Sequence, residues 1–234
     1  MSTVAIVGAG FSGSLLATHL LKRSGPDDRI LLIEKNARLG SGIAYSTGNP
    51  DHLLNVRAGN MSAFSDQPDH FVNWLRNLPE ASRAAIGPDI GPASFVSRSL
   101  YGAYIQSVMG DRLWREGCDR NLFIATDEAV RLLREGGRLS VELAVGRRFP
   151  VDAVVLALGN FPPGRSTGDI HRNPWDPRAV EDIDPEAEVL LIGTGLTMVD
   201  VVISLLRQGH RGKITAISRR GLLPRVHRSG YAPV

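Results

Sequence analysis

Val4-Ala5-Ile6-Val7-Gly8-Ala9-Gly10-Phe11-Ser12-Gly13 opens the chain, followed by an apolar stretch from Ser14 to about Lys22 and then by Ile30-Leu31-Leu32-Ile33-Glu34. The short apolar runs read as buried strands and the stretch between them as a helix. Each part of the connection has a mechanical purpose at a dinucleotide site. Gly8 permits a tight turn out of the first strand, and Gly10 lets the backbone approach a pyrophosphate. Gly13 lets the helix pack closely on the sheet, so that the amide groups and dipole of its N-terminus face the phosphates. Glu34 lies 21 residues beyond Gly13, where a carboxylate at a strand end accepts hydrogen bonds from a ribose. Glycine triplets alone are common in turns. The strand before, the helix after and the acid at this distance make the pattern specific.

A chain of 234 residues has room for one large domain or two small ones, with a substantial core. It holds no run of apolar residues long enough to span a bilayer, so no membrane partner is expected. The N-terminus enters the first strand without a basic segment or cleavage site, so no signal peptide is expected. A single cysteine, Cys118, leaves no internal disulfide framework and fits a reducing cytoplasm. The net charge of +3 hides an asymmetry. After Asp200 come Arg207, Arg211, Lys213, Arg219, Arg220, Arg225 and Arg228 with no acid, leaving 20 basic and 24 acidic side chains in the first 200 residues. A basic tail raises nucleic acid as a partner, but no interleaved aromatics or reader motif accompany it. Acidic counterparts elsewhere in a longer protein are the plainer account.

Between Lys35 and Asp66 runs a long irregular segment rich in Gly, Ser and Asn, and so long a connection is usually functional. A short amphipathic helix comes next, with Phe71, Trp74, Leu75 and Leu78 on one face. Pro79 to Pro92 reads as a loop. A longer helix spans about Ser97 to Glu116, with Leu100, Tyr104, Val108 and Leu113 facing inward and Gly117 as its stop. From Asn121 the period changes to two. Leu122-Phe123-Ile124, Ala129 to Leu133 and Leu139 to Leu143 read as short strands, the last two joined at a Gly136-Gly137 hairpin turn. Ala153 to Leu158 reads as a buried strand that stops at Gly159-Asn160. Pro162, Pro163, Pro174, Pro177 and Pro185 then punctuate a connecting stretch, the best domain boundary in the chain.

A second nucleotide unit begins there. Val189-Leu190-Leu191-Ile192 leads into Gly193-Thr194-Gly195-Leu196-Thr197-Met198, an apolar helix from Val199 to Leu206, and strand Ile214-Thr215-Ala216-Ile217. Met198 stands where a third glycine is usual. The strand ends on Ser218-Arg219-Arg220 where the first unit has Glu34. Two arginines there read either as the charged fork for a ribose 2′-phosphate or as solvated surface.

This layout resembles the two-dinucleotide-binding-domain flavoproteins. More narrowly, Gly42-Ile43-Ala44-Tyr45, His52-Leu53-Leu54-Asn55-Val56, Ser62-Ala63-Phe64, Gly193 to Asp200 and Ser218-Arg219-Arg220-Gly221-Leu222-Leu223-Pro224 are similar to stretches of the bacterial FAD/NAD(P)-binding oxidoreductases. These motifs are specific for cofactor use and nearly silent about the small-molecule substrate. The resemblance implies an α/β fold: a Rossmann-like FAD-binding domain over residues 1–165 with an inserted β-meander, a linker over 166–185, and a partial NAD(P)-binding unit over 186–234. It implies that Gly8, Gly10, Phe11, Ser12 and Gly13 cradle the FAD pyrophosphate while Glu34 and Lys35 flank the adenosine ribose. The backbone around Val130 would meet the adenine, and Gly159 would close over the FAD. Asn55 and Val56 would lie near the isoalloxazine, Asn55 reading equally well as a loop residue satisfying its own backbone. Gly193, Gly195, Arg219 and Arg220 would serve NADPH. The expected activity is a flavin-monooxygenase-like, NADPH-linked oxidoreductase. The other class of reading is a flavin-binding subunit or remnant without turnover of its own.

Disulfide-reductase chemistry needs a redox-active cysteine pair beside the flavin, and the segment after Glu34 contains none. Cys118 reads as a packing residue, since nothing nearby in sequence would stabilise a thiolate. The histidines show no metal-ligand spacing, and His52 reads as a hydrogen-bonding loop residue more readily than as a catalytic one. The second unit supplies only strand, helix and strand where a mononucleotide-binding half normally has βαβαβ. An incomplete version of the parent architecture is therefore expected, with self-association through that unit.

Overall fold

The computed structural model describes residues 2–36, 38–87, 89–115, 120–160, 173–174, 176 and 179–226, the side chains of 85 and 112–115 excepted. Its centre is a parallel sheet of β1 (Thr3–Val7), β2 (Arg29–Glu34), β3 (Leu122–Thr126) and β7 (Ala153–Leu156) in the order β3-β2-β1-β7. Successive side chains of a strand face opposite ways, and over β1 and β2 both faces are covered, which is why those two runs are apolar throughout. Ile6, Ile30 and Leu32 pack with Ala17 and Leu21 of α1 (Phe11–Leu21) and Met109 of α5 (Arg98–Arg115). Ala5, Leu31 and Ile33 pack on the other face against Val141, Leu143 and Val151. Those three belong to an antiparallel meander of β4 (Ala129–Glu135), β5 (Arg138–Leu143) and β6 (Arg148–Val151). Gly136 and Gly137 both take positive φ, 56° and 80°, as the tight turn between β4 and β5 requires.

A third cluster joins α3 (His70–Arg76) to α5, with Phe71, Val72, Leu75, Tyr101, Tyr104 and Ile105 fully buried. The second unit is a two-stranded parallel sheet, β8 (Val189–Ile192) and β9 (Ile214–Ile217), connected by α6 (Leu196–Arg207). Among the described residues no helix is long and apolar enough to cross a membrane.

Several expectations are corrected. The first helix begins at Phe11 rather than Ser14, because Gly10 already takes the extended N-cap conformation. The segment read as a loop from Pro79 to Pro92 contains α4 (Glu80–Ile86), with Pro79 at its N-cap and Gly87 at φ 119° ending it. The connection after Lys35 holds two short helical turns, α2 (Gly42–Tyr45) and a 3₁₀ turn at Ala58–Asn60. Leu122–Thr126, a strand as expected, pairs with β2, and Arg148–Val151, not read as a strand, supplies the meander's third. The inward face of α5 is centred on Tyr101, Tyr104 and Ile105, with Leu100 only partly buried. Ala153 to Leu156 is not buried. It is the sheet's edge, and Leu156 is 61% exposed. Gly117, Cys118, Pro162, Pro163, Pro177 and the side chain of Leu113 lie outside the described residues.

Candidate nucleotide-binding sites

The carboxyl ends of β1, β2 and β7 bring the first set of candidate residues together, since the three strands are parallel neighbours. The chain runs from β1 outward to β2 and β3, then returns to the other side of β1 as β7. That reversal opens a crevice at the strands' carboxyl ends. Gly8 turns out of β1 at φ 97°, and its amide donates to the Ile33 carbonyl at 2.8 Å. A Cβ on Gly8 would stand 2.3 Å from the Ala157 carbonyl oxygen, beneath the turn that leads to Gly159. One on Gly13 would stand 1.8 Å from the Gly8 carbonyl oxygen, so helix and loop touch backbone to backbone. Gly10 is the N-cap of α1 and faces Gly42, whose Cα would be 3.4 Å from a Gly10 Cβ. Phe11 and Ser12 form the first turn of α1. The arrangement brings backbone rather than side chains up to the start of α1, where the first amides of a helix are unpaired within it.

The Glu34 carboxylate closes one side. Its oxygens accept the Ala9 amide at 2.8 Å and the Asn36 amide at 3.0 Å, which fixes the strand end to the glycine loop. Lys35 pairs with Glu128 at 3.5 Å in solvent, tying β2 to the start of the meander. Val130 sits at a register shift between β4 and β5 and is exposed. Gly159, at φ 67°, ends the β7 turn. Asn55 and Val56 lie on the long connection after β2. Residues 52–54 pair with 96–98 through Leu54 N–H to Val96 O (2.9 Å) and Arg98 N–H to His52 O (2.8 Å). Asn55, exposed, and Val56, half-buried, come directly after that pairing.

Sequence reasoning missed the scaffold behind the loop. The Gly40 amide donates to the Ala9 carbonyl at 2.8 Å, and Gln106 of α5 donates from Nε2 to Leu39 O (3.1 Å) and Ser41 Oγ (2.9 Å). Gly102 of α5 lies so close to α2 that a Cβ would meet the Tyr45 carbonyl at 2.6 Å. The signal was present as Gly40-Ser41-Gly42, two positive-φ positions (85° and 56°) within a long connection.

The second unit repeats the first loop's geometry. Gly193 takes φ 107° and donates to Ile217 O at 2.7 Å, and Gly195 is the extended N-cap of α6. Among the described residues nothing stands within 4 Å of a Cβ on either glycine. Met198 occupies the first turn of α6, half-buried. Arg219 and Arg220 are exposed at the end of β9. The unit docks through α6. Arg98 Nη1 and Asp200 Oδ2 are 2.8 Å apart and each side chain is 14% exposed. His52 Nε2 lies 3.0 Å from Ser204 Oγ and 3.2 Å from Asp200 O, Asn49 donates to Ser204 Oγ at 3.1 Å, and Arg207 pairs with Asp51. A cleft of ≈ 520 Å³ borders this contact, lined by Ile43, His52, Arg98, Thr197 and Asp200 among others.

Comparison with solved structures finds the same fold in flavin enzymes. S-allyl-L-cysteine S-oxygenase from Allium sativum matches with a TM-score of 0.60 at 18% identity, over 98% of this chain and 54% of that one. OTEMO, solved in complex with FAD and NADP, matches with a TM-score of 0.59 at 15% identity, over 92% and 38%. A flavin-containing monooxygenase from Stenotrophomonas maltophilia gives 0.54 at 17% identity, over 92% and 58%. The chain thus spans between about two-fifths and three-fifths of these proteins' lengths. At such identities the likeness is one of fold. No curated protein matches the sequence. The model of the FAD-NAD(P)-binding family matches residues 5–161, from the first strand past Gly159. With two-thirds of its length under that model, this chain belongs to the FAD-NAD(P)-binding family.

Proposed function

We propose that the chain is the cofactor-binding part of an FAD-dependent, flavin-monooxygenase-like oxidoreductase in which NADPH reduces the flavin. The observation that carries the reading is the repeated loop. Gly8 and Gly193 share a positive φ and an N–H that donates a hydrogen bond to a carbonyl at the end of the neighbouring strand, and Gly10 and Gly195 each cap a helix. The two units differ at the end of their second strand, which carries an acid at Glu34 in one and a pair of arginines, Arg219 and Arg220, in the other. Gly8, Gly10, Phe11, Ser12 and Gly13 would hold the FAD pyrophosphate, Glu34 and Lys35 would flank its ribose, and Val130 and Gly159 would border the remainder. Gly193 and Gly195 would hold the NADPH pyrophosphate and the two arginines its 2′-phosphate. Bound flavin supplies a hydride acceptor and a route for electrons to oxygen or an organic acceptor. The protein's part is to align the rings and control the access of water.

A second reading, a flavin-binding chain without turnover of its own, is favoured by one feature. Leu190, Ile192 and Ile217 leave a face of the β8–β9 sheet uncovered. Denaturing the purified protein and identifying the released flavin comes first: FAD supports both readings, and FMN rules them out. Anaerobic mixing with NADPH then separates them. Rapid bleaching of the flavin band supports the enzyme, and retained FAD that NADPH does not bleach supports the second reading.

A further inference from the structure

Thr194 stands between the two glycines of the second loop, and its side chain does something that neither glycine can. Its Oγ1 lies 2.6 Å from the Leu222 carbonyl oxygen and 2.8 Å from Ser218 Oγ. A carbonyl only accepts, so the single Thr194 proton goes to Leu222, and Ser218 supplies the proton shared between the two hydroxyls. Ser218 Oγ in turn accepts the Gly221 amide at 3.0 Å, where Gly221 turns the chain at φ 62°. The three bonds form a closed set: loop to turn, turn to itself, and turn back to loop. What they enclose is the segment Ser218-Arg219-Arg220-Gly221, whose two arginines are exposed.

We infer that Thr194 is a specificity-positioning residue, holding the Arg219–Arg220 turn beside the phosphate loop so that the second site prefers a nucleotide bearing a 2′-phosphate. This rests on the reading of that site given above. An arginine side chain has many rotamers and reaches a phosphate effectively only if its backbone is already placed, since every freedom frozen on binding subtracts from affinity. The loop glycines fix where the pyrophosphate lies, and the hydroxyl chain fixes where the arginines begin relative to it. Without Thr194 the turn keeps its sequence and its charge but loses its tie to the loop. A pyrophosphate contact is common to NADP⁺ and NAD⁺, whereas the turn matters only to the nucleotide that carries the extra phosphate. The consequence of removing the hydroxyl is therefore selective.

Thr194→Val keeps the branched shape and removes the hydroxyl, and Thr194→Ser restores it. Calorimetric titration of the full chain with NADP⁺ and with NAD⁺ reads affinity without turnover. Thr194→Val should weaken NADP⁺ about 3- to 10-fold, the worth of about one neutral hydrogen bond, and leave NAD⁺ within about twofold. Thr194→Ser should recover most of the loss. Hydrogen exchange without any nucleotide should show the Gly221 amide faster in Thr194→Val than in the unchanged chain. Equal weakening of both nucleotides would mean that the residue shapes the loop alone, and unaltered preference or unaltered exchange would equally overturn the assignment. An unchanged protein that binds neither nucleotide would overturn the reading of the second site itself, and with it this role for Thr194.

Discussion

Gly10 and Gly13 stand in one loop and answer to different constraints. A methyl on Gly13 would drive into the Gly8 carbonyl at 1.8 Å, whereas one on Gly10 meets the backbone of Gly42 no nearer than 3.4 Å, an ordinary contact. Gly13→Ala should therefore lower stability by roughly 1–3 kcal/mol, as overpacking between backbones does, and show it in thermal unfolding of flavin-free protein. Gly10→Ala should unfold almost as the unchanged chain does but retain little FAD, because on the proposed reading its methyl would stand in the path of the pyrophosphate. A Gly10→Ala protein that keeps its full flavin content would remove Gly10 from the site. These constraints were legible from the glycine spacing alone, whereas the partners of Glu34 were not, because no pattern says which amides a carboxylate will accept. His70 makes a second point at this scale. Its Nδ1 lies 2.8 Å from the Tyr104 hydroxyl, which also takes the Ala63 amide. Burial pushes the Tyr104 phenol up, so it stays protonated and donates to a neutral imidazole. Burial holds His70 below its ordinary value, a displacement that the Asp111 charge opposes without overcoming. The unfolded chain then takes up this proton before the native one does, so stability is complete above the ordinary histidine range and falls as pH drops from about 6.5 towards the lower folded value. His70→Asn retains an acceptor for Tyr104 and should flatten that part of the unfolding-temperature profile. An equal slope in the variant would assign the proton to another group.

The element that links the two glycine loops is α5. Its first residue, Arg98, holds Asp200 of α6, and two turns further on Gln106 holds the segment that faces Gly10. Both members of the Arg98–Asp200 pair are largely shielded, so removing one leaves the other charge poorly solvated and unpaired. Arg98→Ala and Asp200→Ala should each destabilise the docked unit, and the double variant should cost less than the two combined, with a coupling of about 1–3 kcal/mol in a double-mutant cycle. Simple additivity would mean that the ion pair is incidental. Of the elements themselves, β8 and β9 are legible in the sequence at their observed bounds, because short apolar runs between Gly and Pro leave little freedom. Other elements are hidden for identifiable reasons. The segment of α4, Glu80-Ala81-Ser82-Arg83-Ala84-Ala85, is a good helix former, but its flanking prolines suggest a loop, although Pro79 sits where a helix tolerates it. Leu122–Thr126 looks locally like any short strand, and its choice of β2 over the meander is a non-local matter of which face needs covering. Asp200, a charge inside the apolar run Met198 to Leu206, is the one visible sign of a docked helix, and only the fold shows that Arg98 is its partner.

At the scale of the molecule, the first unit covers both faces of its inner strands and the second does not. The central sheet has α1 and α5 on one face and the meander on the other, but the β8–β9 sheet is covered on one face only. Leu190, Ile192 and Ile217 stand on the uncovered face, with Ile192 76% exposed. Shielding a large aliphatic side chain gains about 1.5–3 kcal/mol, so three from each of two copies approach the cost of bringing the copies together. The balance points to weak, concentration-dependent association of this chain as it stands, not to a tight dimer. Sedimentation of the purified protein should show a monomer at low concentration and larger species at roughly 10–100 μM, the range in which a net gain of about 5.5–7 kcal/mol operates. Ile192→Lys with Ile217→Lys should keep it monomeric throughout, because two ammonium groups cannot be buried unpaired against a second copy. Flavin content should be unchanged in that variant, since neither residue touches the first glycine loop. A chain that stays monomeric at the highest concentration, or a lysine variant that associates as readily as the parent, would show that the uncovered face does not drive association.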